Sequence, residues 1–181
     1  MKKPGLFFLL LLAASCADDK PPLPPAASPI LLIEYPSAID TLIASYYEAV
    51  SGKGKKDWRL LDSVCLPEAQ FNAMGINEEG ENEWHPGTMR TFKAHMSPYI
   101  EASGFYQREL KKDVRHFNRV AQVWSTYETR NDPQGELIDR GIMGFQLVEL
   151  GGKWKIANVI WNSETPGKRV PEFYLGGKKE H

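Results

Sequence analysis

The stretch Leu147-Val148-Glu149-Leu150-Gly151-Gly152-Lys153-Trp154-Lys155-Ile156 constrains the fold more than any other part of the chain. Two runs of alternating character flank a Gly-Gly pair, and glycine adopts at low cost the positive φ angles that a two-residue hairpin turn requires. A turn there sets the register of everything beyond it. Glu149 then faces Trp154, Leu147 faces Ile156, Phe145 faces Asn158 and Met143 faces Ile160, and these pairs share one face of the sheet. Lys153 and Lys155 fall on the other face with Gln146, Ile142, Val159 and Trp161, so the first set is expected to point into the core.

The same reasoning places a second hairpin about Asn118-Arg119, pairing His116 with Ala121, Val114 with Val123, Lys112 with Ser125 and Leu110 with Tyr127. Its reverse face carries Glu109, Lys111, Asp113, Arg115, Gln122, Trp124, Thr126 and Glu128. Ahead of Gly104 the period is helical. Ser37 and Asp40 form a capping-box-like start after Pro36, and Ile39, Leu42, Ile43, Tyr46, Tyr47 and Val50 fall on one face, ending at Gly52. A second helix is expected over 57–65, with Trp58, Leu61 and Cys65 on one side. A third begins at Thr88 with Met89, Phe92, Met96 and Ile100 in a stripe, and Pro98 is expected to kink or break it. Residues 75–87 read as an acidic loop carrying Glu78, Glu79, Glu81, Glu83, Trp84 and His85. Three helices followed by long antiparallel strands predict one α+β domain over 37–175, a bent sheet wrapped around helices, with a short tail at 176–181.

The other end of the chain speaks to location. Lys2 and Lys3, an apolar run over 6–14 and small residues before Cys16 have the anatomy of an export signal. The run is too short to span a bilayer, which takes about 20 residues as a helix. Ala13-Ala14-Ser15-Cys16 resembles the lipobox of bacterial lipoproteins, which implies a signal peptide over 1–15 and a lipidated Cys16. Residues 16–36 hold Pro21, Pro22, Pro24, Pro25, Pro29 and Pro36, a composition that favours an extended tether reaching up to roughly 60 Å from the lipid. Asp18 and Asp19 resemble the acidic surface-export signal of some bacterial lipoproteins, so the outer membrane or cell surface is expected over the inner membrane. With Cys16 lipidated, Cys65 has no intrachain disulfide partner.

The formal net charge is −1, and losing Lys2 and Lys3 with the leader makes it more negative. That removes the basic field that nucleic-acid binding needs. His85, His95, His116 and His181 lack metal-ligand spacing, and the chain carries no phosphate loop, nucleophile elbow or Cys-x-x-Cys pair. No metal, cofactor or catalytic residue is assigned.

The stretches Gly104-Phe105-Tyr106-Gln107-Arg108-Glu109, Val120-Ala121-Gln122-Val123-Trp124-Ser125-Thr126-Tyr127-Glu128, Arg140-Gly141-Ile142, the Gly-Gly hairpin and Trp161-Asn162-Ser163-Glu164-Thr165-Pro166 with Tyr174-Leu175 resemble the nuclear-transport-factor-2-like, or SnoaL-like, superfamily. The resemblance covers about 37–175 and implies a cone-shaped domain. That superfamily includes isomerases, dehydratases, hydrolases and many non-catalytic binders, so it implies the fold and not a reaction. The chain departs from the pattern at Gln122, where a histidine is common, and at Met143, where a polar residue is common.

The expected inward set offers Tyr127 and Asn158 as polar groups, with Glu149 near the hairpin end, and holds no Asp-His or carboxylate pair. Tyr47, Arg108, Tyr127 and Asn158 are therefore the candidate ligand-binding residues. The leading expectation is non-catalytic binding of a small apolar ligand or a partner protein by a membrane-anchored lipoprotein. The alternative is a small-molecule isomerase, dehydratase or hydrolase using the cone cavity. Phe117, Val120, Trp124, Ile142, Val159 and Trp161 on the outward face predict a homodimer, unless residues 166–175 or the tether fold back over them.

Overall fold

The computed structural model describes residues 37–176; the leader, Cys16, the tether and residues 177–181 lie outside the described residues. Helix α1, Ser37–Val50, buries Ile39, Leu42, Ile43, Tyr46, Tyr47 and Val50, the face that the 3.6-residue period marks out. Helix α2 is confined to Arg59–Val64, because Cys65 takes extended dihedrals, φ −101° and ψ 160°. Strand β1 starts there and runs Cys65–Ile76. Its alternation is plain in retrospect: Ala69 and Phe71 are buried and Gln70 between them is exposed.

The expected loop over 75–87 is in part a hairpin. Strand β2, Asn82–His85, turns back along β1 and pairs Met74 with Trp84. Helix α3, Met89–Ser103, starts at Thr88, whose side chain and that of Thr91 cap each other's backbone N–H. Pro98 lies inside α3 without ending it. The carbonyl that loses its donor belongs to Ala94, which is exposed, so water can satisfy it.

Strands β3 (Tyr106–Phe117), β4 (Val120–Arg130), β5 (Leu137–Leu150) and β6 (Lys153–Ser163) complete a six-stranded sheet of order β2-β1-β6-β5-β4-β3. Every pairing is antiparallel except β1 with β6, which is parallel. The fold is α+β, with α1, α2 and α3 on the inner side of a curved sheet. The core joins α1 to that side: Tyr46 meets Phe145 edge-to-face at 4.9 Å, and a run of ring contacts continues through Phe71 and Phe92 to Trp161.

Both hairpins have the expected register at their turns and lose it at a bulge. In β5–β6, Glu149 faces Trp154 and Leu147 faces Ile156 as expected. Gln146 then pairs with Asn158 and Phe145 with Val159, leaving Ala157 unpaired. The extra residue inverts the outer half of β6. Val159, expected outward, is fully buried, and Trp161 packs against Phe92. Asn158 and Ile160, expected inward, lie on the outer face with Gln146 and Gly144.

In β3–β4 the pairs His116–Ala121, Val114–Val123 and Lys112–Ser125 form as read, but Tyr127 pairs with Glu109 and Leu110 is skipped. Glu109, expected outward, thereby joins the inner face. The outward apolar patch is reduced to Phe117, Val120, Trp124, Ile142 and Ile160, of which Phe117 is the most open at 80% exposure. Part of it is covered by the chain's own end. A 3-10 turn, Glu172–Leu175, brings Tyr174 to 6.3 Å from the Trp124 ring, and Thr126 Oγ1 donates to the Tyr174 carbonyl at 2.9 Å.

Candidate functional site

The four candidate residues do not converge. Tyr47 and Arg108 line one open cleft of about 760 Å3, where α1 crosses β3 and the β4–β5 loop. Tyr127 is buried on the inner face and is not part of that cleft's lining, and Asn158 is on the outer face. Asn158 Oδ1 accepts from Asn72 Nδ2 at 2.9 Å, while Asn72 Oδ1 accepts from the Gly87 N–H at 3.2 Å. Its inner-face ligand role is therefore corrected: the amide helps hold the segment before α3.

Tyr47 belongs to a proton-sharing chain that the bulge at Leu110 creates. Ser125 Oγ donates to Glu109 Oε1 at 2.7 Å and lies 2.7 Å from Tyr47 Oη. With the serine proton committed to the carboxylate, the tyrosine must donate to the serine. Glu109 Oε2 accepts from Lys112 Nζ at 2.8 Å, and the same ammonium lies 3.0 Å from Asp40. Burial lowers the Lys112 pKa, but the two carboxylates outweigh it and hold the group above its ordinary value. Burial drives the Tyr47 pKa well above its ordinary value, against the bond to Ser125.

Tyr127 sits in a second closed network. Its hydroxyl lies 3.2 Å from Asp139 Oδ2 and 2.9 Å from Ser163 Oγ, and Ser163 donates to the same Asp139 oxygen at 2.9 Å. Gly141 faces Tyr127 across the β4–β5 pair, and a Cβ there would lie 2.8 Å from the hydroxyl, so the approach needs a glycine. Burial and then the Asp139 charge raise the Tyr127 pKa well above its ordinary value. Both networks contain a carboxylate that the sequence alternation placed elsewhere or passed over. Glu109 was hidden by the unflagged bulge; Asp139 reaches Tyr127 from a strand whose start carries no turn-register signal.

Arg108 is mostly exposed. Its Nε donates to Glu128 Oε1 at 2.6 Å, and Arg130 reaches the same oxygen at 3.2 Å. Burial pushes the Glu128 carboxyl up, but the two guanidinium groups pull it below its ordinary value.

The inner face opens elsewhere, at the end of the aromatic run. Phe71, Phe92, Met96 and Trp161 wall a cleft of about 500 Å3 between α3 and the β1–β6 half of the sheet. Phe71 and Phe92 lie 4.9 Å apart and Phe92 and Trp161 6.1 Å apart. Thr91, His85 and His95 supply the polar groups of its lining. An apolar wall with a few polar groups is the usual make-up of a small-molecule site.

A scan against protein-family models finds no match, and no curated protein matches the chain. Solved structures do. An NTF2-like protein of unknown function from Shewanella baltica matches 71% of this chain and 92% of its own, at TM-score 0.51 and 16% identity. A protein of unknown function with a cystatin-like fold from Nostoc punctiforme matches 70% and 89% at TM-score 0.54 and 12% identity. An NTF2-like protein of unknown function from Methylobacillus flagellatus matches 71% and 91% at TM-score 0.50 and 16% identity. The fold is NTF2-like. Here aliphatic side chains and aromatic rings fill much of the space between the helices and the sheet, and clefts stay open under α1 and beside α3.

Proposed function

We propose that this chain is a membrane-anchored lipoprotein of the cell envelope whose NTF2-like domain binds a small apolar molecule without transforming it. The observation that carries the reading is the α3 cleft, walled by Phe71, Phe92, Met96 and Trp161. The Tyr47–Ser125–Glu109 and Tyr127–Ser163–Asp139 groups of the inner face are bonded within their own sets, outside this lining. A ligand in the cleft meets carbon, two imidazoles and a threonine hydroxyl. Burying an apolar molecule there is favourable by about 25 cal/mol per Å2 of surface removed from water.

The test uses the compact unit from Ile33 onward. Native mass spectrometry of this unit purified from its host should show a retained small molecule. The neutral dye N-phenyl-1-naphthylamine should bind it, and Ala73→Phe, which fills the cleft, should weaken dye binding at least about tenfold. Unchanged dye binding in a folded Ala73→Phe variant overturns the reading.

The enzymatic alternative has its own support in Glu109, which lines the cleft under α1 and is joined to Tyr47 through Ser125. A carboxylate beside a hydroxyl relay is suited to proton transfer. It would require a substrate held by Tyr47 and Arg108. Glu109→Gln, which keeps the shape and removes the charge, would then abolish turnover while leaving dye binding intact.

The anchoring part rests on Ala13-Ala14-Ser15-Cys16. Several acyl chains on one cysteine would hold the protein stably, whereas one gives only marginal binding. Cys16→Ser should move it from the membrane to the soluble fraction. The homodimer remains part of the proposal, anchored on Phe117 and Val120, which are 80% and 55% exposed. Phe117→Glu should convert a dimer mass to a monomer mass in light scattering.

A further inference from the structure

The outer face of the sheet carries a second, chemically different cleft. Pairing aligns Arg115 with Gln122, Gln122 with Gln146 and Gln146 with Asn158, so one row of polar side chains crosses β3, β4, β5 and β6. The neighbouring row reads Asp113, Trp124, Gly144 and Ile160. Gly144 lets the two large side chains close over the strand: a Cβ there would sit 3.3 Å from Ile160 Cγ2 and 3.7 Å from the Trp124 ring. The 3-10 turn adds Phe173 and Tyr174, whose rings are 3.8 Å apart, and the whole encloses about 520 Å3.

We propose that this cleft binds a neutral saccharide, independently of the apolar cleft under α3. A sugar ring has an apolar C–H face and a rim of hydroxyls that each donate and accept. Trp124 and Tyr174 offer aromatic faces to the first. Gln122 and Gln146 offer amides, which also donate and accept, to the second. Neither amide side chain is bonded to another group among the described residues, whereas the hydroxyls of Tyr47, Ser125, Tyr127 and Ser163 on the inner face are all engaged. Strands lie about 4.8 Å apart, so amides on β4 and β5 reach two hydroxyls of one ring rather than the same one. Asp113 and Arg115 carry opposite charges at the β3 end, which leaves the cleft without a net preference for an anion or a cation. Ordinary solvated polar residues would account for the amide row alone. They do not account for two aromatic walls closing around it.

The full-length protein, in lauryldimethylamine oxide micelles to avoid sugar headgroups, is titrated calorimetrically with maltotriose, cellotriose, xylotriose and N,N′,N″-triacetylchitotriose, and with adenosine as a planar heterocycle. At least one trisaccharide should bind with Kd below about 1 mM. Gln146→Leu and Trp124→Ala should each weaken that binding at least about tenfold, with unchanged circular dichroism. Lys153→Ala, at the far hairpin turn, should leave it unchanged. Binding of adenosine alone, no binding of any trisaccharide, or trisaccharide binding indifferent to both folded variants overturns the proposal. A dimer that occludes Trp124 and excludes every trisaccharide overturns it as well.

Discussion

The two faces of one sheet treat polar side chains in opposite ways. On the inner face Tyr47, Ser125 and Glu109 bond to each other, as do Tyr127, Ser163 and Asp139. On the outer face Gln122 and Gln146 stand in a row, within a cleft, with no side-chain partner among the described residues. The difference follows from solvent. A buried hydroxyl or carboxylate left unpaired costs about 1–3 kcal/mol or more, so these inner hydroxyls and carboxylates sit in closed sets, and the buried Nδ1 of His116 is an exception without a partner among the described residues. An exposed amide has water as a partner and can exchange it for a ligand. These inner sets therefore serve the fold, whereas on the outer face, where Asn158 and Thr126 are also bonded, the Gln122 and Gln146 amides are available for recognition.

Adjacent residues give the largest contrast. Phe145→Ala removes a fully buried ring that meets Tyr46 at 4.9 Å, and should cost about 3–5 kcal/mol in denaturant unfolding. Gln146→Ala, one residue along and on the other face, should stay within about 0.5 kcal/mol. A large loss at Gln146 would mean that the outer row is structural, and the division between the faces would fail.

A smaller effect isolates the polar groups themselves. Ser125→Ala should cost about 1–3 kcal/mol, because it strands both the Tyr47 hydroxyl and one Glu109 oxygen, while Gln122→Ala should cost almost nothing. Alkaline titration reads the same asymmetry. Burial raises the pKa values of Tyr46, Tyr47 and Tyr127 above their ordinary 10.0 and pushes the Cys65 thiol from 9.0 up to about 12. The folded protein keeps these protons to higher pH than the unfolded chain does. Their contribution is complete below about pH 9 and is lost as pH rises from there. Melting temperature should fall steadily above that point, and Tyr127→Phe should shallow the fall.

The two faces were unequally legible in the sequence. The Gly151-Gly152 turn set the partners of Leu147 and Glu149 correctly, and the turn at Asn118, with φ 52°, did so for Val114 and His116. Each reading failed where one residue was inserted. Bulges are often marked by glycine, but the unpaired residues here are Ala157 and Leu110. The signal that was present is a conflict of phase: Val159 and Trp161 are too apolar for a solvated face, and Asn158 too polar for the core. A bulge resolves both at once. Strand β1 went unread for a different reason. Pro67 follows a helix and suggests a stop, and the parallel partner β6 lies far along the chain, beyond any local turn rule. The candidate site suffered accordingly, since Asn158 and Glu109 both exchanged faces.

The smallest effect concerns a place where the chain's C-terminal turn covers its own outer face. Thr126 Oγ1 donates to the Tyr174 carbonyl at 2.9 Å, and Lys111 reaches the neighbouring Phe173 carbonyl. Thr126→Val keeps the shape and deletes the bond, so it should cost about 0.5–1.5 kcal/mol at most, because the freed carbonyl lies near solvent. The loss should be local. Hydrogen exchange is expected to quicken at Tyr174, whose N–H donates to the Pro171 carbonyl, while the amides of β4 and β5 stay protected. Trp124 would then lose one neighbour and become more quenchable by acrylamide. If exchange instead rises throughout β4, Thr126 is a core residue that happens to touch the turn, and the outer cleft has lost its movable wall. If only the turn responds, the face is closed by a separable flap of its own chain, and its aromatic wall can adjust to a ligand without disturbing the packed side.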